Sequence, residues 1–561
     1  MKPVAFFLAY LLALPTVYAD SATWNLNPTS GDWNTATNWT PPTIPNGSRQ
    51  DATFDVSNTT DISVSSATEV RAIVFNSGAS EFMITANPGQ SLTLNGRGID
   101  NYSGIVQNLV ATGDNGVISF TDGSAGDQTF FTSEDYGRTE FHRQTNARNG
   151  TFTNLSGGST RFFREANAGN GIFYNEGGEA GGSGGYTVFS DMSSARNGTF
   201  IANGTSVSGA IDGGKIHFQD RSTADLGTFT ITGGSVSGGL GADLTFLNIS
   251  TAGDSTITVN GGTVDGAEGG NLSFLGESSA GNATIIINGG VGHGGDCAFG
   301  GDAQGGTARF EIFGNGALTI ASNQGTPVTV GSIEGDGIIE IDAYSLVVGG
   351  NNLSTVFSGL IESGGGLTKI GTGTLTLTGA NTYGARTNLT TVEAGKLVIS
   401  NSTGSGTGTG NVLVKAGTLG GNGIIQGAVT IGTGTRTGAF LAPAHRTNVQ
   451  ATLTIQSSLT FNADSTYACT FKARRNTANT DQVIANGVTI NSGASFVFQG
   501  LAQGTLPLGL VLTVISNTSA NPIAGTFSNL PDGGIVIVNG NNFQASYEGG
   551  DGNDLTLTVV P

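Results

Sequence analysis

The chain has 561 residues, with 22 basic and 41 acidic side chains for a formal net charge of −19, 92 glycines, 13 prolines and two cysteines. Glycine at more than twice its usual share, without a three-residue period, excludes collagen; 37% hydrophobic content excludes a charged disordered chain; two cysteines exclude a disulfide scaffold. The excess of Gly, Thr, Asn and Ser disfavours helix, and a polyanion with no basic stripe is not a nucleic-acid binder.

Residues 1–19 read as a secretory signal. Lys2 opens it, Ala5 to Leu14 is apolar, and Val17-Tyr18-Ala19 fits cleavage before Asp20. The apolar run falls short of the ~20 residues a membrane span needs, and no other stretch is long enough. The expectation is an exported bacterial protein, secreted or at the cell surface, without a membrane-spanning segment once processed. Sparse cysteine suits an envelope or extracellular protein that does not rely on disulfides.

Residues 20–60 hold all three tryptophans, Trp24, Trp33 and Trp39, followed by Pro41, Pro42, Pro45 and Asp51-Ala52-Thr53-Phe54. Two readings fit: a cap, or an aromatic sugar platform. The cap is preferred, because an open solenoid end exposes apolar residues and unpaired strand edges.

From about 140 to 290 the chain repeats. Phe141, Phe162, Phe189, Phe218, Phe246 and Phe274 each stand six residues before an alanine, and five residues after that alanine comes Phe152, Phe173, Phe200, Phe229, Ile257 or Ile285. Phe120 with Ala125, and Cys297 with Ala303, look like imperfect copies at either end. Runs such as Thr228-Phe229-Thr230-Ile231 alternate, which marks a strand with one buried face, and Gly pairs follow them. A unit this short cannot bury a core alone, but stacked units can. Short strands, glycine corners and no intervening helix predict a parallel β-helix over 61–430. Its phenylalanines would form an internal stack rather than an exposed track for sugars. From about 430 strands lengthen and Gly pairs thin out. Residues 431–561 are read as a C-terminal β-rich region, either more β-helix or a small sandwich.

At 366–399 the sequence runs Gly366-Leu-Thr-Lys369-Ile-Gly371-Thr-Gly373-Thr-Leu-Thr-Leu-Thr-Gly379-Ala-Asn381-Thr-Tyr383 and continues to Val392-Glu-Ala-Gly395-Lys-Leu397-Val-Ile. This resembles the autotransporter-associated β-strand repeat, also called the passenger-associated transport repeat. The pattern departs after Tyr383, where Gly384-Ala385-Arg386-Thr387-Asn388 replaces the usual Ser-Gly-Gly-Thr turn. Gly410 to Gly423 resembles a following unit, and Leu441-Ala442-Pro443 its usual end, with Ala444 in the place of Gly. Gly31-Asp32-Trp33 and Asn38-Trp39 resemble the common opening, and Tyr547 to Asp554 the common close. The resemblance implies a right-handed β-helix exported to the surface or beyond. The chain shows no long series of amphipathic strands for a translocator barrel, so self-export through a linked barrel is not expected. A sorting tail of the kind many relatives carry would begin where Val559-Val560-Pro561 stands.

Enzymes on this fold require a fair test. Gly292-His293-Gly294 matches part of a polygalacturonase pattern, with Asp296 and Asp302 nearby as an acid pair. Arg138, His142, Arg143, Arg148, Arg161 and Arg164 gather over two units and offer a groove for acidic glycans. Against these stand ordinary turn and loop residues. His217 and His445 are scattered, and no metal-ligand spacing occurs. Gly549-Gly550-Asp551-Gly552-Asn553-Asp554 resembles one calcium-binding nonapeptide, but a site needs two stacked copies. No catalytic, cofactor-binding or metal residue is therefore assigned, and no cofactor is expected. The sequence is read as a non-enzymatic structural or adhesive β-solenoid whose partners are polysaccharide, matrix or cell-surface components. The alternative is a lyase or hydrolase acting on acidic glycans.

Overall fold

The computed structural model describes residues 21–561 except 322–325, 343, 385–388, 436–437, 445–448, 475–476 and 502–504. The signal at 1–19, His445 and the loop residues 385–388 lie outside the described residues. The rest is a β-solenoid of about 17 turns.

Three parallel ladders run along it. The first sheet has 16 strands and extends from Trp39–Thr40 through Lys215–Phe218 to Leu360–Glu362. The second runs from Asp61–Val64 through Thr228–Ile231 to Ser495–Leu501. Between them, in the first half, the third side of each coil is one residue wide. Ser124, Asn146, Asn167, Ser194, Thr223, Thr251, Ser279 and Gln304 form single bridges from coil to coil. From Val328–Val330 to Val488–Ile490 that side widens into a third, eight-stranded sheet.

Most strands are four residues long with alternating burial, so the second and fourth side chains point inward. Register places Phe120, Phe141, Phe162, Phe189, Phe218, Phe246, Phe274 and Phe299 in one column of the first sheet. Phe131, Phe152, Phe173, Phe200 and Phe229 form a column in the second. Rings stack 4.6–4.9 Å apart along each column. The two columns meet edge to face, as at Phe189–Phe200, 5.6 Å apart. Each such pair adds ~0.5–1.5 kcal/mol beyond its buried area. Ala125, Ala147, Ala168, Ala195, Ala224, Ala252, Ala280 and Ala303 fill the narrow third side, all fully buried.

One residue of the repeat is misassigned by its spacing. Cys297 is registered with Leu272 and Leu318, and Phe299 is the residue that stacks on Phe274, at 4.9 Å. The corner between Phe299 and Ala303 is two residues shorter than its counterparts, which shifts the count. Cys297 and Cys469 are both buried free thiols.

At the N-terminal end Trp39–Thr40 pairs antiparallel with Ala22–Trp24, which ends the parallel ladder. Trp24, Trp33 and Trp39 are buried against Phe54, and their Nε1–H groups donate to Thr59, Pro45 and Trp33 carbonyls. These rings present no platform to a sugar. Beyond residue 430 the parallel ladders continue, with Thr452–Ile455 on Gln482–Ala485 and Leu459–Phe461 on Val488–Ile490. They give way at the end to antiparallel strands, Val511–Asn517, Asp554–Val560, Asn541–Gly549 and Ile535–Val538.

The 366–399 stretch makes two coils, with Gly366–Lys369 and Thr390–Val392 in the third sheet and Thr374–Leu377 and Lys396–Ile399 in the second. Its polar residues face inward. Asn381 accepts from the Ile361 N–H and donates to the Gly406 carbonyl. The buried Tyr383 hydroxyl lies 2.9 Å from the Thr390 hydroxyl.

Candidate functional site

Outward positions of the first sheet carry most of the candidate residues. Arg138 and Arg161 sit on adjacent coils, and Glu140 is the register partner of Arg161. Arg138 Nε lies 3.3 Å and His142 Nε2 3.2 Å from the Glu140 carboxylate. Burial pushes the Glu140 pKa up, but the His142 hydrogen bond and the charges of Arg138, His142 and Arg161 outweigh it, and the carboxyl ends below its ordinary value. Arg161 donates to Ser159 at 3.0 Å and to the Tyr186 hydroxyl, and its guanidinium lies over the Tyr186 ring. The His142 ring stacks on Phe163, 4.9 Å away.

The other basic residues turn away from this row. Arg143 and Arg164 occupy one corner with φ near +60°, a position that Asp191, Asp220 and Asn248 take in later coils. Arg164 N–H donates to Asp191 and Asp191 N–H to Asp220, so the corner is stitched coil to coil. Arg148 lies at the next corner, also at positive φ. The six predicted basic residues are thus divided between one strand face and two corners, and Glu140 stands among those on the face.

His293, Asp296 and Asp302 fall on three successive parts of one coil. His293 is exposed in the loop before the strand, and its N–H bonds the Ala267 carbonyl. Asp296 opens the strand Asp296–Phe299 and accepts from Thr319 at 3.2 Å in the following coil. Burial raises its pKa against that hydrogen bond. Asp302 is exposed at the corner beyond. His217 faces outward between coils, and burial, with Lys215 nearby, lowers its pKa.

The Gly549–Asp554 segment is the turn between the antiparallel strands Asn541–Gly549 and Asp554–Val560. Asp554 accepts the Asn517 N–H at 2.8 Å, and Asn553 donates to the Ser519 carbonyl. Among the described residues no group of three His, Cys, Asp or Glu could hold a metal ion.

Sequence reasoning missed three partners of the basic row: Glu140, Tyr186 and Lys215. Each occupies an outward position of the same strand repeat, so the signal was the alternate residue of each phenylalanine strand. It also missed Lys369. This side chain points inward in the third sheet, is almost wholly buried, and donates to the Ile370, Gly371 and Ala394 carbonyls. Burial lowers its pKa to about 8.

Comparison with known proteins adds one sequence likeness. No family model matches the chain. Over 105 residues it is 37% identical to the adhesin BmaC autotransporter of Brucella suis biovar 1 (strain 1330), a match covering 18% of this chain and 3% of that protein. The chain is an all-β solenoid similar in part to an autotransporter adhesin. The matched stretch is thus a small fraction of the relative's length. The Haemophilus influenzae Hap adhesin structure aligns with 91% of this chain and 63% of its own, at 10% identity and a TM-score of 0.29. The likeness of 366–399 to the transport repeat rests on the residues themselves. Among the described residues no helix is long and apolar enough to cross a membrane.

Proposed function

We propose that this protein is an exported, non-enzymatic adhesive rod, secreted or held at the cell surface, that binds polysaccharide or matrix components through a rigid face. One observation carries this reading: the chemically capable side chains hold the coils to one another. Glu140 is spent on Arg138 and His142, Asp296 on Thr319, and Asp554 on the Asn517 backbone. Stacked coils fix the spacing of surface groups, and many weak contacts on such a lattice add up to avidity. The partial identity to an adhesin supports the same reading.

The test is a panel of polysaccharides, matrix proteins and cell surfaces presented to the purified protein. Both retention and the release of new chain ends are recorded. Retention without release is expected. Release of unsaturated or reducing ends, abolished by His293→Ala or Arg143→Ala, would replace the adhesive reading with a polysaccharide-degrading one. No cofactor is needed, so chelation should leave thermal unfolding unchanged. A Tm lowered by chelation and restored by calcium would assign the ion to the 549–554 turn.

A further inference from the structure

The second sheet presents an outward face unlike any other on the rod. In nine consecutive coils, from Met83–Ala86 to Thr284–Ile287, two outward residues per strand form two ranks in register. These ranks contain no Asp, Glu, Lys, Arg or His, and ten of the 18 positions are threonine. The pairs Thr151/Thr153, Thr228/Thr230 and Thr256/Thr258 are typical. The same coils carry Arg138, Glu140, Arg161, Lys215 and Asp243 on the first sheet, so the neutrality belongs to one face and not to the segment.

Charge bounds the face at both ends. Asp61 precedes it in register, and Arg309 follows, bonded to Glu311 and Glu334. Strand spacing of about 4.8 Å makes the neutral strip ~40 Å long, with its two ranks ~6.5 Å apart. Among the described residues no protein hydrogen bond engages the hydroxyls of the three threonine pairs. Two aromatic rings, Phe130 and Tyr174, also point outward here.

We propose that this face is the adhesive surface and that its ligand is an uncharged polysaccharide lying along the rod. The inference rests on the adhesive reading and names its ligand class. A pyranose chain presents hydroxyl edges and C–H faces. Threonine answers both with one hydroxyl and one methyl, and the outward rings offer stacking area for C–H faces. β-Branched side chains on a sheet are held to few rotamers, so little side-chain entropy is lost when they are covered. A polyanionic glycan gains nothing from a strip without cations and is repelled by a chain at −19. A second copy of the chain carries the same −19 and is repelled as well.

The test uses the full chain and three probes: insoluble cellulose, insoluble chitin and alginate. Two arginines are placed in the strip by Thr228→Arg with Thr256→Arg. Val188→Arg places one on the first sheet of the same rod. All three positions are outward, and unchanged melting confirms folding. Expected is salt-insensitive retention on cellulose or chitin, at least tenfold weaker in the double variant and within twofold of wild type in Val188→Arg. Retention unaffected by the double variant overturns the face while leaving an adhesive rod. Retention only on alginate, weakened by salt, overturns the neutral ligand and points to the Arg138–Arg161 row. Self-association abolished by the double variant makes the strip a contact between copies and also overturns the proposal. No retention on any of the three overturns it too. The adhesive reading then fails only if matrix proteins and cell surfaces are equally unbound.

Discussion

The coils between residues 117 and 312 and those between 345 and 461 solve one packing problem in two ways. In the first region two columns of phenylalanine fill the interior, and the third side shrinks to a single bridge residue followed by alanine. In the second, Leu and Ile replace the rings, and the third side becomes a true strand with inward Leu346, Val348, Val392, Val412 and Val414. Interiors are packed to a nearly constant density, so a side chain enlarged on two walls must be matched by a smaller one on the third. The cross-section is therefore conserved while its division among the walls is not.

The largest effect should come from removing one ring of the stack. Phe189→Ala leaves a hole between Phe162, Phe218 and Phe200 and should cost ~3–5 kcal/mol, as large aromatic deletions do. Leu377→Ala in the second region should sit lower in the ~2–5 kcal/mol range for aliphatic deletions. Denaturant unfolding read by hydrogen exchange in the affected coil would rank them. Equal costs would undo the claim that ring stacking distinguishes the regions.

The reverse change probes the third wall. Ala195→Leu inserts volume where the shaft has no room and should cost ~1–3 kcal/mol. Val414→Ile, on the wider wall of the distal coils, should cost less than that. If Ala195→Leu is silent, the shaft's narrow side is not set by packing. Smaller still is Tyr383→Phe, which removes one buried hydroxyl contact with Thr390 and should lower stability by ~0.5–1.5 kcal/mol.

What was legible in the sequence follows from the same contrast. The Phe-to-Ala spacing could be read because inward residues of a solenoid stack on their own copies, so one position is written many times. Cys297 was misread because a corner shortened by two residues breaks the count without breaking the register. Widening of the third wall at 328 leaves no period change strong enough to see, since Val328-Thr329-Val330 is too short to announce a new sheet. The surface was less legible than the core. That Glu140 lies beside Arg161, or that Thr228 lies beside Thr256, depends on register between coils rather than on spacing within one. The basic row was therefore found without its carboxylate, and the neutral strip was visible only once the coils were stacked.

Lys369 offers the finest test of the second region. A wall of Leu and Val there admits one lysine, whose ammonium is met by carbonyls alone in the hydrogen bonds it makes. Burial brings its pKa down from 10.5 to about 8 in the fold. Below pH 8 both folded and unfolded chains are protonated, and the fold bears the full cost of a buried charge. Between about 8 and 10.5 the unfolded chain holds more protons than the folded one, so stability rises with pH across that window. Lys369→Met keeps the length and removes the charge, and should abolish this lysine's share of the rise while leaving the shaft's unfolding unaltered. Lys396, also lowered by burial, supplies a residual slope in that variant. A wild-type stability that is flat from pH 8 to 10.5 would mean that the carbonyls fully replace the lost water, and that the distal wall accommodates a charge as readily as the shaft accommodates a ring.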